Sequence, residues 1–174
     1  MEKEKVTRLI EVARYAPTAG NSQTVEWLIH TDRSRIRRIA ALAIEWVREL
    51  VTNDPSVAEA RPYLPRLITA WESGHDSILR DAPVLIVASA PKEAAFGLVD
   101  LVLAMSYLDL LAPTMGLGTC WAGLLEGALV TSSPLREEVG IPGEHPYYYP
   151  MMLGYPAMRH HRLPRRKAPK ITFV

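Results

Sequence analysis

Thiols are almost absent from this chain: Cys120 is the only cysteine in 174 residues. An intramolecular disulfide is therefore impossible, and thiolates of one chain cannot assemble a zinc cluster or an iron–sulfur centre. A reducing compartment, the cytoplasm, is the expected location. The histidines offer no metal motif either. His160 and His161 are adjacent and cannot share a helical i, i+4 face, while His30, His75 and His145 are scattered without a Glu-containing pattern, so no metal site is expected. Neither a Gly-x-Gly-x-x-Gly nor a Walker pattern occurs, which argues against a Rossmann or P-loop pocket. The net charge of +1 provides no global field for nucleic acid or a membrane surface. Acidic residues stop at Glu144, whereas Arg159, Arg162, Arg165, Arg166, Lys167 and Lys170 follow. This basic tail, from about residue 156, lacks aromatic interleaving and a reader motif, so no nucleic-acid partner is expected.

Apolar residues make up 48% of the chain, enough for a sizeable core, and a single domain over residues 1–174 is expected. The opening Met1-Glu2-Lys3-Glu4-Lys5 is charged and runs into an amphipathic pattern, unlike a secretory signal. Val6, Leu9, Ile10 and Ala13 recur at helical spacing until Pro17 pushes Ala16 out of the helical region. Val25 to Ile29 reads as a short strand, and Ile36, Ile39, Ala40, Ala43, Trp46, Val47 and Leu50 mark one face of a second helix. Between Asn53 and Asp81, Pro55, Pro62 and Pro65 imply interrupted helical pieces or a lid, with a helix from about Leu64 to Leu79.

Val84 to Ala88 is a continuous aliphatic run, the mark of a central strand covered on both faces. Leu98 to Met115 is apolar nearly all round, which predicts a helix buried on most sides by its own sheet and a second subunit. Its Asp100 and Asp109 would be costly at bilayer depth, so no membrane span is expected. Gly116 suits a helix C-cap, Thr119 to Leu124 the next strand, and Pro134 to Val139 a short helix with Ser133 as N-cap and Gly140 beyond its end. Tyr147 to Tyr155 is the last strand. The alternation predicts an α+β fold, helices around a central mixed or antiparallel sheet.

Two segments stand out for chemistry. In Arg14-Tyr15-Ala16-Pro17-Thr18-Ala19-Gly20-Asn21-Ser22-Gln23, the amides of Asn21 and Gln23 both donate and accept, matching a heterocycle edge or a polyhydroxyl chain; read alone, Gly20-Asn21 is a plain turn. Arg14 either joins such a site or satisfies the last carbonyls of its helix. In Gly116-Leu117-Gly118-Thr119-Cys120-Trp121-Ala122-Gly123, the small residues Ala122 and Gly123 let the main chain approach an aromatic ring; the plain alternative is a glycine-flanked core strand. Cys120, among apolar neighbours, reads as a core residue and not a nucleophile.

These two segments, with Leu153-Gly154-Tyr155-Pro156 and the basic run to Lys170, resemble in order the flavin-binding segments of the nitroreductase family. The resemblance implies an FMN-dependent oxidoreductase that passes electrons to a small acceptor such as a nitroaromatic or quinone, with NADH, NADPH or a ferredoxin-type donor as electron source. It implies FMN contacts from Arg14, Asn21, Ser22 and Gln23, from the backbone of Ala122, Gly123 and Leu124 near flavin N5, and from Arg165 or Arg166 at the phosphate. A homodimer with flavin at the subunit interface is implied too. No side chain is nominated as catalytic. A non-catalytic flavin-binding or partner-binding module with the same fold is the alternative. Family members commonly open with an Arg-Arg-Ser-x-Arg type helix whose cations hold the phosphate. Lys3, Lys5 and Arg8 do not reproduce it, so either phosphate binding rests more on the tail or flavin affinity is reduced. The closing basic run resembles the tail of members fused to a ferredoxin domain, which implies a separated or truncated nitroreductase domain.

Overall fold

The structure is a computed structural model that describes residues 1–158, 161, 162 and 164–174. Arg159, His160 and Leu163 of the basic run lie outside the described residues. Four strands form one antiparallel sheet in the order β1-β2-β4-β3: β1 is Glu26–His30, β2 Val84–Ala90, β3 Gly118–Trp121 and β4 Tyr147–Gly154. The helices are α1 Lys3–Ala13, α2 Arg33–Asn53, α3 Pro55–Ala60, α4 Tyr63–Glu72, α5 Gly97–Leu111, α6 Gly123–Thr131 and α7 Ser133–Val139.

The sheet is covered on both sides, as the unbroken run in β2 predicts. Every residue of β2 is buried. Alternate side chains enter different layers, because successive strand residues point to opposite faces. Leu85 and Val87 pack with Ile36, Ile39 and Ile44 of α2 and with Leu125 and Leu129 of α6. Val84, Ile86 and Ala88 pack with Val6 and Leu9 of α1 and with Leu101, Met105 and Leu108 of α5.

Helix α5 carries the most unusual surface. The stretch Gly97–Met115 is long and apolar enough to cross a membrane by length and composition. It nevertheless lies against α1, β2 and β4, and ends in a 3-10 turn, Ala112–Met115, capped by Gly116 at φ 71°. Its outer side leaves Leu98 48%, Val99 54% and Leu110 79% exposed in the single chain.

Three expectations need correction. The strand expected over Thr119–Leu124 stops at Trp121, and Gly123 and Leu124 instead begin α6. The cause is Pro150 opposite. Ala122 N–H donates to the Pro150 carbonyl at 3.0 Å, but Pro150 has no N–H to return, so the Ala122 carbonyl accepts from Glu126 N–H at 2.9 Å and a helix starts. The helix expected to reach Leu79 ends at Glu72, near Gly74 at φ 87°. Beyond it the buried Asp76 carboxylate accepts from the N–H groups of Ile78 and Leu79 at 2.9 and 2.8 Å, replacing helical partners. Ser132, not Ser133, is the N-cap of α7, its hydroxyl accepting from Leu135 N–H at 3.4 Å.

Candidate functional site

The loop after α1 turns sharply because three of its backbones, two of them adjacent, depart from ordinary geometry while Ser22 between Asn21 and Gln23 stays right-handed. Gly20 has φ 59°, Asn21 φ 57° and Gln23 φ 52°. Glycine adopts this region freely and asparagine tolerates it, but Gln23 does not, and such a residue stores about 1–3 kcal/mol of strain. Compensating bonds hold the loop. Thr18 Oγ1 accepts from Gln23 N–H at 3.1 Å, and the Asp100 carboxylate of α5 accepts from Ala19 N–H at 3.0 Å and from the Ser22 hydroxyl at 3.4 Å. Asp100 is only 2% exposed, whereas Asn21, Ser22 and Gln23 are exposed. The scaffold is thus internal and the amides face outward. A cavity of about 220 Å³ lies beside it, lined by Arg14, Thr18, Gln23, Val25 and Trp27 among others. In the same loop the Thr24 hydroxyl is buried with no hydrogen-bond partner among the described residues.

The second segment reaches the same face of the sheet. Trp27, Ala88 and Tyr149 are register partners across β1, β2 and β4, forming one row on the α1/α5 side. Tyr149 meets Trp121 edge to face at 5.3 Å. Beyond it, a side chain built at Gly123 would come within 3.4 Å of the Tyr149 hydroxyl, so the absent Cβ leaves that hydroxyl and the start of α6 next to each other. Burial, and to a smaller extent the Glu126 charge, raises the Tyr149 phenol above its ordinary value, so it is a donor at neutral pH. No side chain caps α6, and its first-turn N–H groups have no helical acceptor. Strand β3 is fastened to α5 by Asp109, which accepts from the Trp121 indole at 3.2 Å and from the Thr119 hydroxyl.

Among the described residues, no hydrogen bond or ion pair ties the chain beyond Tyr155 to this assembly. Strand β4 ends beside α1's beginning, where the Lys5 ammonium donates to the Tyr155 hydroxyl at 3.1 Å. Arg14 lies at the other end of that helix, about 13 Å away at the ordinary rise per residue. Arg165 and Arg166 are exposed and form no ion pair among the described residues. Cys120 is a partly buried free thiol in a groove of about 530 Å³ beside β3, lined also by Ala82, Pro83 and Met152; none of the candidate flavin residues lines it.

A model of the nitroreductase family matches residues 1–155. The chain belongs to the nitroreductase family. Solved structures agree with the fold. A nitroreductase with bound FMN from Bacteroides fragilis superposes with a TM-score of 0.73 at 21% identity, over 100% of this chain and 88% of that one. One with bound FMN from Desulfitobacterium hafniense gives 0.74 at 17%, over 100% and 88%. Oxidised iodotyrosine deiodinase bound to FMN and 3-iodo-L-tyrosine gives 0.68 at 22%, over 98% and 87%. No curated protein is similar enough in sequence to match.

Within this nitroreductase fold, residue patterns pointed to the two main-chain segments but not to the carboxylates that fasten them. Asp100 and Asp109 were legible only as charges in an apolar helix; a buried charge requires partners, and that requirement was the available signal. A Ser89–His145 pair, contributed by residues far apart in the chain, is likewise visible only in the fold. The Ser89 hydroxyl and His145 Nδ1 lie 3.0 Å apart, with Glu26 at 4.0 Å from His145 Nε2. Ser89 is fully buried, which makes this a tie between β2 and the loop before β4, not a nucleophile open to substrate.

Proposed function

We propose that this protein is an FMN-dependent oxidoreductase that passes electrons to a small acceptor such as a nitroaromatic or quinone. The observation that carries the reading is the outward-facing amide pair Asn21 and Gln23, on a strained loop bonded to buried Asp100 and standing beside Arg14. Family membership and the FMN named in the related structures support it. The residues present fit the cofactor. Amides, the orphaned Thr24 hydroxyl and Ser22 suit the pyrimidine edge and ribityl hydroxyls, and the uncapped start of α6 at Gly123 and Leu124 offers backbone donors beside the Tyr149 hydroxyl with no Cβ at Gly123. When bound, FMN supplies the two-electron chemistry. The chain's part is to bind and orient. Asn21, Ser22 and Gln23 would hold the polar edge; the Gly123 and Leu124 N–H groups, placed by the bond of Ala122 to Pro150, would stabilise charge at N5; and Arg14 with Arg165 or Arg166 would meet the phosphate. NADH, NADPH or a ferredoxin-type protein is the electron source, and the cytoplasm is the location.

The working unit is a homodimer. Leu98, Val99, Tyr107 and Leu110 give α5 an exposed apolar side, and Ile171, Phe173 and Val174 of the tail are exposed too. Burying these groups against a second copy removes apolar area from water, a large favourable term. The exposed Arg165 and Arg166 favour one second reading: a module that binds flavin or a partner without turnover. The deciding experiment is an anaerobic titration of purified, FMN-loaded protein with NADH and NADPH, followed by a nitroaromatic or quinone. Bleaching and reoxidation establish the enzyme. A flavin spectrum that no donor changes selects the module, and no retained or added flavin overturns the cofactor itself.

A further inference from the structure

We propose that Asp100 is a positioning residue for the flavin: its buried carboxylate holds the loop of residues 18–23, in which Gly20, Asn21 and Gln23 take left-handed backbone, so that Asn21 and Gln23 turn toward the cofactor. The proposal rests on the FMN reading above. Both carboxylate oxygens are engaged by the loop, Oδ1 by Ala19 N–H at 3.0 Å and Oδ2 by the Ser22 hydroxyl at 3.4 Å. At 2% exposure, water does not compete for them. The charge sits in the first turn of α5, a 15-residue helix whose N-terminal dipole favours an anion there. Charge-assisted bonds of this kind are stronger than neutral ones.

The loop's other bonds, Gln23 N–H to Thr18 Oγ1, Asn21 N–H to the Thr18 carbonyl and Ser22 N–H to the Ala19 carbonyl, are local and move with the loop. Asp100 is the remote one. It refers the loop to a helix packed on β2 and β4, the strands that carry Ala88 and Tyr149 of the row leading to α6. Without it, Asn21 at φ 57° and Gln23 at φ 52° relax toward ordinary backbone, and flavin binding must first reorder them. The role requires hydrogen-bond geometry more than charge. An asparagine could accept from Ala19 N–H and donate to the Ser22 hydroxyl, keeping both contacts.

The test compares Asp100→Ala, Asp100→Asn and Ser22→Ala with wild type and with Leu135→Ala, a core destabiliser on α7 on the opposite side of the sheet. FMN affinity is measured by flavin fluorescence, and loop order in the apo-protein by hydrogen exchange at the Ala19 amide. The expected result is FMN binding weaker by about tenfold or more in Asp100→Ala, a smaller loss in Ser22→Ala, and recovery to within about threefold of wild type in Asp100→Asn. Leu135→Ala should lower the melting temperature yet bind FMN normally. Near-normal FMN binding by Asp100→Ala overturns the proposal, as does an equal loss in Leu135→Ala. The exchange arm separates this inference from the cofactor reading. If wild type fails to bind FMN, that reading falls, and faster Ala19 exchange in Asp100→Ala still upholds the loop-holding role; unchanged exchange overturns it.

Discussion

Removing the Asp109 carboxylate should loosen the edge strand that delivers the backbone of Ala122 to Leu124. Asp109 is partly buried on α5 and accepts from two side chains of β3, the Trp121 indole at 3.2 Å and the Thr119 hydroxyl. Strand β3 pairs only with β4, so these contacts are its lateral support on the α5 side. A hydrogen bond to a charged group contributes about 1.5–3 kcal/mol; discounted for partial exposure, losing both in Asp109→Ala should cost about 2–4 kcal/mol. Unfolding entropy for a chain of this length is about 0.37 kcal/mol/K, so the melting temperature should fall by about 5–11 °C. Asp109→Asn should lose less than half as much. Its amide can accept from the indole, a donor only, while the Thr119 hydroxyl turns to accept from the amide N–H. The assay is calorimetry of the apo-protein, followed by FMN titration below the transition, where Asp109→Ala should also bind more weakly. A melting temperature within about 2 °C of wild type in Asp109→Ala, or equal losses in both variants, would refute the argument that these bonds support β3.

Arg14→Ala and Arg166→Ala should each weaken FMN by about tenfold to hundredfold in fluorescence titrations while affecting riboflavin far less, with Arg165→Ala as the neighbouring control; equal and negligible effects of the two tail changes would leave the tail a solvated basic end. Leu110→Glu, on the most exposed apolar position of α5, should shift light-scattering mass from about twice 19.4 kDa to 19.4 kDa; a wild type already at 19.4 kDa across micromolar concentrations would sink the dimer. His30 is a stability probe. Burial, with the Arg35 charge second, holds its pKa below the usual 6.5, so the unfolded chain binds the proton more readily. Its contribution is therefore complete above about pH 6.5 and declines as pH falls below it; melting curves from about pH 7.5 to about pH 5 should show a shallower acid limb in His30→Gln, and parallel limbs would contradict the assignment.

The sequence by itself determined the elements whose signal is local. The aliphatic run of β2, the periodicity of α1 and α2, and Gly116 and Gly140 at left-handed caps could be read directly, because side-chain period and glycine's conformational freedom are properties of neighbouring residues. The order of three motifs likewise sufficed to indicate the family. Tertiary structure alone decided what depends on a partner distant in the chain. Thr119 to Leu124 reads as strand until Pro150, on another strand, is opposite Ala122 and cannot return a hydrogen bond. Asp100 and Asp109 read only as liabilities of an apolar helix until folding brings them Ala19, Ser22, Thr119 and Trp121. A buried carboxylate must be paired, which the sequence states; with which donors is a matter of which chain segments share a sheet face, and only the packed fold determines that.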